Sequence, residues 1–263
     1  MRPLMLSRIV LALCFLLLVS PSTALARSRH GDGVPYIVVL DPGHGGDDPG
    51  AADSSQTMVE KVLTLDVAKH AASDLRAMGY RVYLTRTRDQ DVNVPPRDVN
   101  HDGKIDHVDE LVARNVYANR RHADVFISVH FDASASPDTH GTHGYYCPDR
   151  PFRGQNQRLA ALLTASISSS LARARYASPD LGVGTDVADI VPQTRADYPW
   201  FLVLGPSKKG YVVGTRMPGA LIETLYLSSP RDVAALHHRA IMAALAQGYA
   251  GGIKEYFDGR ARH

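Results

Sequence analysis

Cysteine is almost absent: the 263 residues hold two, Cys14 and Cys147. Cys14 falls in an N-terminal stretch that reads as a leader, so the mature chain keeps one thiol and an intrachain disulfide is excluded. The core must be held by packing, by metals, or by both. Long hydrophobic runs are also missing. Beyond the leader no segment approaches the roughly 20 apolar residues that cross a bilayer. Charge of one sign is lacking too. Lys and Arg number 29 against 27 Asp and Glu, a formal +2, and removing Arg2 and Arg8 takes this to about 0. Such a balance gives no argument for nucleic acid or a charged membrane surface as partner. There is no internal repeat, low-complexity tract or linker, so residues 27–263 read as a single domain. That length buries a sizeable core without covalent staples.

The leader itself has three parts. Arg2 and Arg8 precede an apolar run from Ile9 to Val19, and Ala24-Leu25-Ala26 places small residues at a cleavage spacing. This predicts a secretory signal peptide over residues 1–26 and a periplasmic or secreted mature chain. A membrane anchor fits less well, because the run is about 11 residues long. Lipidation at Cys14 fits less well because Leu13, not a small residue, precedes it.

Tyr36 to Leu40 is short, apolar and β-branched, the pattern of a buried parallel strand. Asp41-Pro42-Gly43-His44-Gly45-Gly46 breaks it into a loop. Apolar residues then recur at helical spacing from Val59 to Met78, and Gly79 ends the helix. Further strands are expected at Arg81–Thr85, Asp124–His130, Gly144–Cys147 and Ala220–Leu227. Helices are expected at Glu110–Arg121, Asn156–Arg175 and Pro230–Phe257. Phe201–Leu204 and Tyr211–Val213 suggest a hairpin within the irregular stretch Ser178–Gly214. The alternation predicts an α/β fold: three layers, α/β/α, around a twisted, mostly parallel mixed sheet of the phosphorylase/hydrolase-like kind.

Open α/β sheets place ligands at the carboxyl ends of their strands. His44 follows the first strand, His130 ends the third, and Glu60 opens the first helix. Two imidazoles and one carboxylate form a common catalytic zinc set with a fourth position left for water, whose pKa the metal lowers to about 7. Their spacing is long and irregular, and a histidine ending a strand is as readily packed or solvated. Glu223 adds weight, since it interrupts the apolar run Ala220–Leu227. A carboxylate there costs several kcal/mol unless paired or protonated. It either faces solvent or an arginine, or acts on the water as general base and then acid.

Several blocks now stand in order: Val38-Val39-Leu40-Asp41-Pro42-Gly43-His44-Gly45-Gly46 with Asp48-Pro49-Gly50-Ala51; Glu60-Lys61 with Val82-Tyr83-Leu84-Thr85-Arg86; Arg114, Ala118-Asn119, Ala123-Asp124 and Ile127-Ser128-Val129-His130; Met217-Pro218 with Leu221-Ile222-Glu223 and Leu227-Ser228. From about Tyr36 to about Phe257 the sequence resembles the zinc-dependent N-acetylmuramoyl-L-alanine amidases of the amidase-3 type. The resemblance implies one zinc held by His44, Glu60 and His130, with Glu223 as catalytic glutamate. It implies hydrolysis of the amide between N-acetylmuramic acid and L-alanine in peptidoglycan and its muropeptides. Three positions depart from the family pattern. Asp132 stands where Asn is usual, and Thr224-Leu225 stand where Gly and Phe are frequent. Some Gram-negative members carry a long blocking helix after the strand histidine. Here about 25 residues separate His130 from the helix near Asn156, which predicts a site open without an activator protein. A lid would sit in Ser178–Gly214.

Asp98-Val99-Asn100-His101-Asp102-Gly103-Lys104-Ile105-Asp106-His107-Val108-Asp109 matches a calcium loop. Asp98, Asn100, Asp102, Asp106 and Asp109 would offer side-chain oxygens and Lys104 its carbonyl. The loop resembles those of dockerins and predicts a structural Ca2+ in an inserted segment; the alternative is a solvated acidic turn. Arg86 and Arg114 either orient a carboxylate or form structural ion pairs. His140 and His143 are expected in a surface loop, His237 and His238 on a solvated helix face. Tyr198, Trp200 and Phe201 are expected in core packing, the alternative being stacking on sugar or peptide, and Cys147 is expected as a small buried residue. Two rival readings stay open: a zinc peptidase cutting the stem peptide, and a wall-binding protein without catalysis.

Overall fold

The computed structural model describes residues 34–187 and 197–260. The expected signal peptide and part of the Ser178–Gly214 stretch lie outside them. Among the described residues, six strands form one sheet in the order β2-β1-β3-β6-β4-β5. They are β1 (Ile37–Pro42), β2 (Arg81–Leu84), β3 (Val125–Asp132), β4 (Thr142–Tyr146), β5 (Asp180–Thr185) and β6 (Gly219–Tyr226). The helices are α1 (Glu60–Ala77), α2 (His107–Arg120), α3 (Arg153–Arg173), α4 (Pro230–Leu236) and α5 (Arg239–Arg260). Neighbouring strands run parallel except β4, which is antiparallel to β6.

The strand sequences explain the layering. All six residues of β1 are buried, because a central parallel strand is covered on both faces. Val38 and Leu40 join Val125, Ile127, Val129, Ala220 and Ile222 in the larger cluster, packed by α1, α3 and α5. Their alternates Ile37 and Val39 join Phe126 and Leu221 in the opposite cluster, which α2 and the 200–217 segment cover. The expected three-layer α/β fold with a mostly parallel mixed sheet is present. None of the helices among the described residues is long and apolar enough to cross a membrane.

Three local expectations are corrected. Phe201–Leu204 and Tyr211–Val213 form no hairpin; the Phe201 carbonyl accepts from the N–H groups of both Leu204 and Gly205, closing a tight turn, and only Lys208 and Val212 bridge. The closing helix is two helices, interrupted at His237–His238. α2 starts three residues before Glu110 because Asp106 caps it, accepting from Val108 N–H at 2.9 Å while the Asp109 side chain returns to Asp106 N–H.

Candidate metal centre and active site

β1 delivers the chain to its carboxyl end, where His44 adopts a left-handed backbone, φ 59°, between Gly43 and Gly45. A non-glycine residue holds such a conformation only when its surroundings fix it. Two buried arginines do so. Arg114 donates to the carbonyls of Pro42 at 2.9 Å and His44 at 2.9 Å, and Arg86 donates to that of Gly43 at 2.8 Å. Arg114 also pairs with Asp41 at 3.0 Å. Both arginines therefore brace this loop, so structural pairing is the reading that holds.

Glu60 is the first residue of α1, where the helix dipole favours a carboxylate. Its Oε2 accepts from Ala51 N–H at 2.8 Å and its Oε1 from Phe131 N–H at 3.0 Å. The same Oε1 lies 3.1 Å from His44 Nε2 and 2.9 Å from His130 Nδ1. The opposite nitrogens are also held. His44 Nδ1 meets Asp48 at 2.8 Å; His130 Nε2 meets Ser128 Oγ at 3.1 Å, and Ser128 in turn donates to the buried Asp41. These outer partners turn His44 Nε2 and His130 Nδ1 inward, the arrangement that orients metal-binding imidazoles. Gly43 is required for this. A Cβ there would lie 2.3 Å from His130 Cε1.

His44, Glu60 and His130 each offer a ligand atom within 4.8 Å of the others, and among the described residues they form the one such group. Electrostatics fit a cation. Burial works to raise the Glu60 carboxyl, but hydrogen bonds from His130 and His44 prevail and hold it well below the usual range. Burial opposes protonation of His44, yet Asp48 and Glu60 lift it to about 9. A proton thus takes the place that a dication would fill. The donor set of two imidazoles and a carboxylate suits zinc.

Glu223 sits on β6 in register with His130 on β3, and paired residues on adjacent strands face the same side of a sheet. It lines the same cleft, about 740 Å³, together with His44, Glu60, His130, Asp132 and Phe201. The residue is half-buried as a whole, but its Oε2 is enclosed and has no hydrogen-bond partner. Burial, then the charges of Glu60 and Asp132, push its carboxyl well above the ordinary value. A carboxyl shifted upward by its surroundings holds a proton more readily than an ordinary one, which suits a group that takes up and returns a proton. Asp132 is itself raised, by burial first.

The remaining assignments divide. Asp48, Asp41 and Ser128 act around the site without having been singled out, although all three lie inside the sequence blocks. His143 is not in a loop; it stands on β4 in register with Glu223. Cys147 is fully buried, as expected. Tyr198 is fully buried, whereas Trp200 and Phe201 are partly exposed. The calcium loop does not gather its acids into a ligand cluster. Asp98 accepts from Asp102 and Gly103, Asn100 from Asp102, Asp102 from Lys104, and Asp109 from Val99, Asn100 and Asp106, all through backbone N–H groups. Those carboxylates serve the turn and the helix cap.

Comparison with known proteins agrees with this geometry. Residues 38–255 match the family described as Amidase_3, N-acetylmuramoyl-L-alanine amidase. N-acetylmuramoyl-L-alanine amidase AmiC of Neisseria meningitidis serogroup B is 28% identical over 91% of this chain and 58% of that protein. The chain thus spans little more than half the length of the curated relatives it matches. Amidase AmiC2 of Nostoc punctiforme superimposes with a TM-score of 0.61 at 25% identity, covering 85% of this chain and 97% of that one. The CwlD amidase from Clostridioides difficile, solved in complex with the GerS lipoprotein, shares the fold with a TM-score of 0.65 at 19% identity, over 85% and 99% of the two chains.

Proposed function

The chain belongs to the Amidase_3 family of N-acetylmuramoyl-L-alanine amidases, and on that footing we propose that it is a zinc-dependent peptidoglycan amidase cutting between N-acetylmuramic acid and L-alanine. The observation that carries this reading is the partnerless, enclosed Oε2 of Glu223 in the cleft of the His44–Glu60–His130 cluster. His44, Glu60 and His130 would hold the metal. Zinc, when bound, polarises a carbonyl and makes water a better nucleophile at neutral pH. Asp48 and Ser128 keep each imidazole in the tautomer that points its free nitrogen inward. Glu223 accepts the proton of the attacking water on its carboxylate and hands it to the departing amine nitrogen of L-alanine.

The substrate lies outside the cytoplasmic membrane, so the reading places the mature chain in the periplasm or outside the cell after loss of residues 1–26. The connection Ala133–Phe152 holds β4 and loops but no helix over the site, which supports activity without an activator. Calcium in Asp98–Asp109 rests on the loop pattern alone; thermal melts with calcium and with chelator test it, and equal midpoints reject it.

Digestion of muropeptides by the purified mature chain, read by mass spectrometry, tests the main reading. N-acetylmuramic acid products with a free lactyl carboxylate and new L-alanine amino termini, lost on zinc chelation, are expected. Cleavage only within the stem peptide would make the chain a peptidase, and binding without any cleavage would make it a wall-binding protein.

A further inference from the structure

The cleft has two unlike sides about Glu223. Toward β1 its wall is polar, with Asp47, Asp48 and His107. On the side of β4 Phe201 lines it, and two rings of β4 continue from Phe201. His143 is in register with Glu223, and Tyr145 with Leu221, another cleft residue. The His143 and Tyr145 rings lie 4.5 Å apart, and Tyr145 and Phe201 lie 5.4 Å apart. The three half-buried rings therefore form a continuous strip from the carboxyl of β6 toward the sheet edge. The neighbouring strand leaves room for it. Gly184 pairs with Tyr145, and a Cβ there would lie 3.3 Å from His143 Nε2.

We propose that the strip His143–Tyr145–Phe201 is the saccharide subsite, on which a sugar ring of the glycan stacks while the stem peptide takes the polar side. The assignment rests on the amidase reading and names where the sugar goes. A pyranose ring presents a face of C–H groups ringed by hydroxyls. Aromatic side chains with an apolar body and a polar edge match that surface, and the negative face of each ring attracts the C–H dipoles. A stem peptide carries backbone amides and charged groups, which the Asp47–Asp48–His107 side accommodates. Beyond β4 only β5 remains in the sheet, and there Gly184 presents no side chain against the strip.

The test compares two substrates with the same scissile amide: an N-acetylmuramoyl dipeptide, and the same dipeptide acylated by D-lactate alone. In the wild type the sugar should raise kcat/KM by about tenfold, and Tyr145→Ala or His143→Ala should bring the ratio near one. A wild-type ratio near one, or a ratio that both variants leave intact, overturns the assignment. Failure of the wild type on both substrates defeats the amidase reading instead. Binding of peptide-free glycan chains then decides the subsite. Trp200, the one tryptophan, adjoins Phe201 in sequence and reports occupancy by fluorescence. Saturable quenching abolished in Tyr145→Ala supports the subsite, and no quenching in the wild type rejects it.

Discussion

Replacing Gly43 by alanine tests whether the metal centre depends on one missing methyl group. The added Cβ would lie 2.3, 2.5 and 2.7 Å from three ring atoms of His130, where 3.4–4 Å is ordinary contact. The ring must move by about 1 Å, and it has little freedom to do so without leaving Glu60 at 2.9 Å and Ser128 at 3.1 Å. Displacements near 1 Å at a catalytic centre cost on the order of 100-fold in rate. Zinc affinity should fall by about 10–100-fold, the range for disturbed ligand orientation. The fold should survive, since Gly43 lies outside the left-handed region and its N–H bond to Val129 is kept. Restricting the unfolded chain even returns about 0.4–1 kcal/mol. Zinc titration calorimetry and amide hydrolysis would be measured beside Gly154→Ala, where an added Cβ meets nothing within 4 Å. Wild-type zinc affinity and turnover in Gly43→Ala would refute the reasoning, as would equal losses in both variants.

Glu223→Gln should lower kcat by at least about 100-fold while metal content by atomic absorption stays at the wild-type level, because it removes the proton carrier and no ligand. Arg114→Met should destabilise the chain by about 3–5 kcal/mol in urea titrations, since Asp41 keeps a fully buried charge with its cation gone; a change below about 1 kcal/mol would contradict the bracing role. Burial raises the Asp186 carboxyl to about 7, against about 3.9 in the unfolded chain. Between those values the unfolded chain releases this proton first, so stability falls as pH rises toward 7 and is level above it. From pH 5 to 8 the loss from this group is about 3 kcal/mol. Asp186→Asn should flatten that slope in urea midpoints taken at the two pH values, and an unchanged slope would reject the assignment.

The strands β1 and β3 were legible because a strand covered on both faces is mostly apolar, as Ile37–Leu40 is throughout and Val125–Val129 is but for Ser128. α1 was legible by its spacing, and Glu60 by its place at the start of α1. β5 was missed. Its Gly182 and Gly184 oppose strand formation, and it exists because β4 supplies a partner 38 residues earlier in register, Thr142 with Asp180. The supposed hairpin failed for the converse reason. Phe201–Leu204 is apolar because it covers α2 and the sheet, not because it pairs. The loop acids stay ambiguous because one spacing serves two purposes: Asp106 and Asp109 suit a cation, and they equally satisfy the first turn of a helix. The supports of the site, Asp48 and the Asp41–Ser128 pair, needed the folded arrangement, since Ser128 reaches Asp41 across 87 residues of chain.

The reversal of β4 has an architectural consequence. β3 and β6 run toward the cleft, whereas β4 sets out from it, so the passage between Asp132 and Thr142 departs from the rim and returns to the rim. Such a connection can be lengthened without shifting any strand, and each doubling of its length costs only about 0.6 kcal/mol in closure entropy. In this scaffold a stopper for the reaction chamber can be gained or lost by insertion at one place, leaving the machinery beneath it untouched.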